Sequence, residues 1–140
     1  NKTMKISELK SNTNINSSLI DAVINQFGGK ESFKESASDV SNHGIDGGFG
    51  GFIYHDDTVK FATDNKALIM ELAEEQAQEF GTIDVMMIQG FNCLNGNYNL
   101  EEIQQAIYGD SDDSTQVLNA LAWYAAEEVC RAYADIKEAA

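Results

Sequence analysis

The chain has 140 residues, 43% hydrophobic and 23% charged, which fits one globular domain able to bury a real core. It carries 23 acidic against 9 basic side chains, for a formal net charge of −14. That balance argues against direct binding to a nucleic-acid backbone, because like charges repel and no basic patch exists to release counterions; no apolar run reaches a membrane span.

Residues 1–15 are polar and Asn-rich, with Ile6, Leu9 and Ile15 as the only anchors, and read as a flexible arm. Their lysines precede no apolar core, unlike a secretory signal. The globular domain is expected over 16–140. Asn16 or Ser17 can cap a first helix that turns Leu19, Ile20, Val23, Ile24 and Phe27 to one face. Gly28-Gly29 ends it. Phe33, Ala37 and Val40 mark a second helix that stops before Gly44.

Next comes NHGIDGGFGGFIYHDD, residues 42–57, with Gly44, Gly47, Gly48, Gly50 and Gly51 around Phe49. The spacing matches neither a dinucleotide fingerprint nor a P-loop, and Asp46, Asp56 and Asp57 would repel an anion. The segment reads as a close-packed structural loop (Gly47, Gly48, Phe49, Gly50, Gly51, Phe52), with Phe49, Phe52 and Ile53 plugging the core. Residues 51–55 have strand propensity and could form one short strand or hairpin, paired with the N-terminal arm.

Asp56 or Asp57 can cap a short helix, and Asp64 a longer one that turns Leu68, Ile69, Leu72 and Phe80 inward and stops at Gly81. Thr82 can cap the segment IDVMMIQGF, and Asn95-Gly96 marks a turn. Asn99 with Glu102 resembles a capping box for a helix with Leu100, Ile103 and Ile107 inward. Asp113 with Gln116 starts the last helix, to about Lys137. Its VLNALAWYAA run is apolar nearly all round, as a central helix is. Val117, Leu118, Leu121, Ala122, Trp123, Ala125 and Val129 are its expected core residues, and Asn119 a buried polar one. The fold class is therefore mainly α, a compact single-domain bundle of six or seven helices.

Candidate chemistry is sparse. His43 and His55 with Asp46, Asp56 and Asp57 could form an acid–base pair or bind metal, but two histidines alone do not close a zinc site. GDSDDS lacks the spacing of a calcium loop. Cys93 and Cys130 are isolated, which points to free thiols in a reducing compartment. No cofactor is expected.

Charge patterning gives the stronger signal. Residues 1–55 hold six acids against five lysines; residues 56–140 hold 17 acids against four basic residues. Glu71, Glu75 and Glu79 follow one another at i, i+4, with Glu74 beside them. Like charges so placed on a helix cost about 0.2–0.5 kcal/mol per pair. Such a row can imitate a phosphate backbone and favours a basic partner. Asp110, Asp112 and Asp113 form a second acidic patch.

The stretches HGIDGGFGGFIYHDDTVKF, EQAQEFG, FNCL and NALAWYAAEEVCRAY together resemble a family of small acidic proteins carried by bacteriophages and mobile elements. The resemblance covers about residues 30–136 and implies an accessory protein of the bacterial host cytoplasm. By analogy with anti-CRISPR and anti-restriction proteins, it implies a non-enzymatic inhibitor. Glu71, Glu74, Glu75 and Glu79, with Asp110, Asp112 and Asp113, would contact a basic nucleic-acid-handling protein, such as a CRISPR-Cas or restriction subunit. Two alternatives stand beside it: a small hydrolase or metal-dependent enzyme centred on His43, His55 and Asp56 or Asp57, and a structural or regulatory oligomer joined through the glycine segment.

Overall fold

The computed structural model describes residues 6–45, 49–80, 83–84, 97–98, 100–109 and 114–139; at some helical positions, Glu79 and Phe80 among them, only the backbone is described. Within these residues the chain forms seven α-helices: α1 (Ile6–Ser11), α2 (Ser17–Gln26), α3 (Lys30–His43), α4 (His55–Asp64), α5 (Lys66–Phe80), α6 (Leu100–Tyr108) and α7 (Ser114–Ala139). The fold is a mainly α, compact helical bundle. A two-residue antiparallel pair, β1 (Ile83–Asp84) with β2 (Asn97–Tyr98), is the only sheet among the described residues; Ile83 pairs with Tyr98 and Asp84 with Asn97. Thus the segment expected to start a helix after Thr82 has an extended beginning.

Helix α7 is the axis, and each of the other six helices packs against it. Its composition explains this. Val117, Ala120, Leu121, Ala122, Ala125, Ala126 and Val129 are all buried, and between 117 and 130 only Trp123 and Glu128 keep partial exposure. The small alanines let neighbouring helices approach closely on several sides. Trp123 is only partly buried, packed on the edge of the core rather than within it.

Local chemistry sets the helix ends. The Asn16 side chain accepts from the Ser18 N–H at 2.8 Å and caps α2. At the other end, Gly28 N–H donates to the Asn25 carbonyl and Gly29 N–H to the Ile24 carbonyl, each at 3.0 Å. Both glycines have positive φ, 105° and 116°. This is a Schellman closure, which any β-carbon would strain. Helix α3 buries Phe33, Ala37 and Val40 and ends at Gly44.

The N-terminal arm is corrected in part. Residues 6–11 form α1, with Leu9 fully buried, Ile6 nearly so, and a Lys10–Asp21 ion pair of 2.6 Å to α2. The two apolar anchors suffice because they fall three residues apart, on one face of a helical turn.

The expected strand at 51–55 is also corrected. Residues Gly50–Phe52 form a 3₁₀ turn and His55 opens α4. Phe52 enters the core and Phe49 packs beside it, whereas Ile53 is 49% exposed. A 3₁₀ turn places consecutive side chains about a third of a turn apart, so Phe52 and Ile53 cannot both point inward. Phe52 links an aromatic chain. Its ring lies 5.2 Å from Phe27 and 5.3 Å from Phe61; Phe27 lies 5.7 Å from Phe33, and Phe33 5.3 Å from Tyr133. The rings meet edge-on or tilted, each such pair being worth about 0.5–1.5 kcal/mol beyond area burial. The chain thereby ties α2, α3, α4 and α7 together.

Glycine is required here for approach. A β-carbon on Gly50 would lie 3.0 Å from the Phe27 backbone, and one on Gly51 2.7 Å from the Gln26 carbonyl. Gly47 and Gly48 lie outside the described residues.

Candidate functional site

Three features bear on function: an acidic helix face, a polar groove and a buried polar row.

The acidic face belongs to α5. Ile69, Met70, Leu72 and Ala73 turn to the core, which forces Glu71, Glu74 and Glu75 outward, and all three are exposed. Asn16 Nδ2 donates to the two Glu71 carboxylate oxygens at 3.3 and 3.5 Å. One asparagine side chain therefore caps α2 with its oxygen and fastens Glu71 with its nitrogen. No cation among the described residues pairs with Glu71, Glu74 or Glu75. The face is thus acidic and electrostatically uncompensated. The Glu79 side chain, and all of Asp110, Asp112 and Asp113, fall outside the described residues, so their place relative to this face is not described.

The groove lies between α2 and α4 and has a volume of about 430 Å³. Helix α2 lines it with Ala22, Asn25 and Gln26, and α4 with Asp57, Lys60, Phe61 and Asp64; Asn65 closes one end. Both sets recur at i, i+3, i+4 spacing, so each is one face of its helix. Gln26 Nε2 donates to the Gly51 carbonyl at 2.9 Å and the Asp57 carbonyl at 3.4 Å. Asn65 Nδ2 donates to the Phe61 carbonyl at 2.8 Å. Lys60 Nζ donates to Asp64 at 2.6 Å. That hydrogen bond, and then the Asp64 charge, hold the ammonium above its usual range. Sequence reasoning missed this groove. Its residues look like ordinary solvated helix faces until α2 and α4 are placed side by side.

The row runs along α7 as Asn119, Trp123, Glu127 and Arg131, at successive i+4 positions, with Trp123 and Arg131 only partly buried. Asn119 is 4% exposed and Glu127 wholly buried. Arg131 Nη2 lies 3.4 Å from Glu127, while its Nη1 donates to Glu128 at 2.8 Å. Asn119 was legible as a buried polar residue. Glu127 was missed, though it directly continues the run that is apolar all round. Beside it, Cys130 is fully buried. Desolvation, reinforced by the Glu127 charge, pushes its thiol far above the usual range, so it stays protonated and a poor nucleophile. Burial, and secondarily Glu31, also raise the Tyr133 hydroxyl. Cys93 lies outside the described residues.

The two histidines are exposed: His43 closes α3, and His55 opens α4 followed by the exposed Asp56 and Asp57. Asp46 lies outside the described residues. Among the described residues, no three His, Cys, Asp or Glu side chains converge to hold a metal ion. No described helix is long and apolar enough to cross a membrane.

No curated protein and no solved structure matches the chain. A family model does, over residues 7–139, from α1 to the end of α7. The chain therefore belongs to the family described as a domain of unknown function, DUF7222.

Proposed function

We propose that this protein is a non-enzymatic binding protein that docks on a basic, nucleic-acid-handling protein through the outer face of α5. The observation that carries this reading is the exposed and uncompensated set Glu71, Glu74 and Glu75, in a chain of net charge −14. The rigid helix fixes the spacing of the carboxylates, and Asn16 orients one of them. A partner that normally holds nucleic acid presents Lys and Arg groups at phosphate spacing, which this face can engage in its place. Inhibition of a host defence system, CRISPR-Cas or restriction, is the biological form that the resemblance to phage and mobile-element proteins favours.

The test is capture and competition. The tagged protein should retain a nucleic-acid-binding protein from lysate of a CRISPR- or restriction-bearing bacterium. Added to that purified partner, it should displace DNA or RNA. The variant Glu71→Lys/Glu74→Lys/Glu75→Lys should lose both effects while keeping its helical circular dichroism. Undiminished competition by the folded variant would refute the α5 face. Capture of only acidic or non-nucleic-acid proteins would refute the partner class.

A further inference from the structure

The three exposed acids of α5 are not equivalent. Glu74 and Glu75 have no hydrogen bond to another described residue, whereas Glu71 receives the Asn16 side-chain amide on both carboxylate oxygens, at 3.3 and 3.5 Å. These contacts are long for charge-assisted hydrogen bonds, so they restrict the carboxylate more than they bind it. Each carboxylate oxygen has two lone pairs and keeps one for a further donor.

Asn16 is itself held. Its side-chain oxygen accepts from the Ser18 N–H at 2.8 Å, and its backbone carbonyl accepts from the Leu19 and Ile20 N–H groups at 3.0 and 3.1 Å. The amide oxygen is thus committed to α2, and the nitrogen points at α5. Beneath this contact the two helices meet. Ile15 and Leu19 face Leu68 and Leu72 across a narrow cleft, which Glu71 and Glu75 also line. Leu19 and Leu72 are buried, and Ile15 and Leu68 pack partly buried against the core. The N-terminus of α2 therefore cannot slide along α5 without opening that packing. Glu71 is tied to a rigid point 55 positions away in sequence. Glu74 and Glu75 are tied to no described residue.

We propose that Asn16 is a positioning residue of the α5 face, holding the Glu71 carboxylate as the fixed anchor for one cationic group of the partner. A free glutamate side chain loses rotamer freedom when a partner immobilises it, and that loss weakens binding. Glu71 has given up part of this freedom on folding. The amide carries no charge, so it orders the carboxylate without neutralising it, as a lysine in its place would. The inference rests on the reading that α5 is the docking face, and it names a residue outside α5 on which that face depends.

The test is a double-mutant cycle on the ¹⁵N-labelled chain. The protein is titrated with hexa-arginine amide at low salt, and affinity is read from the backbone amide signals of residues 71–75. Serine caps a helix about as well as asparagine, but it is too short to reach Glu71 and leaves the net charge unchanged. Asn16→Ser should keep the helical circular dichroism and raise the dissociation constant read there about threefold, the weight of ordering one side chain. In a Glu71→Ala background, Asn16→Ser should change nothing further. An equal rise in both backgrounds would overturn the proposal, because Asn16 would then act only through the α2 cap. No rise with Asn16→Ser, while Glu71→Ala does weaken binding, would overturn it and leave the α5 reading standing. Binding that neither Glu71→Ala nor Glu74→Ala/Glu75→Ala weakens would overturn the α5 reading, and the proposal with it.

Discussion

Helices α5 and α7 both carry glutamates and use them in opposite ways. On α5, Glu71, Glu74 and Glu75 stand in solvent with no cation among the described residues to offset them. On α7, Glu127 is wholly buried and draws Arg131 to 3.4 Å. The difference lies in the neighbours. Helix α5 has one apolar face, so its acids can turn away from the core. Helix α7 is surrounded by the other helices and offers position 127 no route to water. An acid in the first setting is available to a partner. One in the second is held by the fold and constrains it, because a buried charge without its counter-ion is strongly destabilising.

The largest test of this contrast is Arg131→Leu. It removes the partly exposed guanidinium from beside the buried Glu127 and should destabilise the fold by about 2–3 kcal/mol, measured by urea denaturation. Adding Glu127→Gln should recover part of the loss. If Arg131→Leu costs nothing, the Glu127–Arg131 pair does not hold α7. Next in size is Gly51→Val, where the new side chain meets the Gln26 backbone. A loss of about 1–3 kcal/mol is expected from overpacking, with weaker near-ultraviolet signal from the aromatic chain.

Cys130 gives a smaller and pH-dependent effect. Its raised folded value means that the unfolded state releases the thiol proton first, near the ordinary value of 9.0. Above that pH the unfolded state binds fewer protons than the native one, so stability falls as pH rises, and it is unaffected by this group below it. The slope is at most about 1.4 kcal/mol per pH unit. Cys130→Ala should flatten it, after the parallel contribution of Tyr133 is allowed for. In a Cys93→Ser background, the remaining thiol should react with a disulfide reagent only on unfolding. The smallest effect belongs to α5. Glu75→Gln removes a like-charge neighbour of Glu71 and should stabilise by about 0.2–0.5 kcal/mol, a gain that added salt should erase. A loss instead would mean that the α5 carboxylates help to hold the fold.

The sequence alone determined the ends of α2 and α3 and the central place of α7, but not the start of α4, which opens at His55 after Tyr54 rather than at an Asp56 or Asp57 cap, nor that of α5, since Asp64 ends α4. Gly28-Gly29, Gly44 and Asn16 act within a few residues of themselves, so their effects on α2 and α3 could be read locally. The run 117–126 declared α7 central, since no arrangement leaves such a helix at the surface. The glycine segment was legible as a close crossing, and Gly51 shows why. What tertiary structure decided was which member of a short-range pair faces inward. Phe52 is buried and Ile53 is exposed because Phe27 and Phe61 wait on one side of the turn. Leu9 docks α1 because the bundle offers it a buried place. The α2–α4 groove and the buried Glu127 likewise exist only once distant helices meet. Periodicity states which residues share a face; only the packing of other helices decides whether that face meets water, a core or a groove.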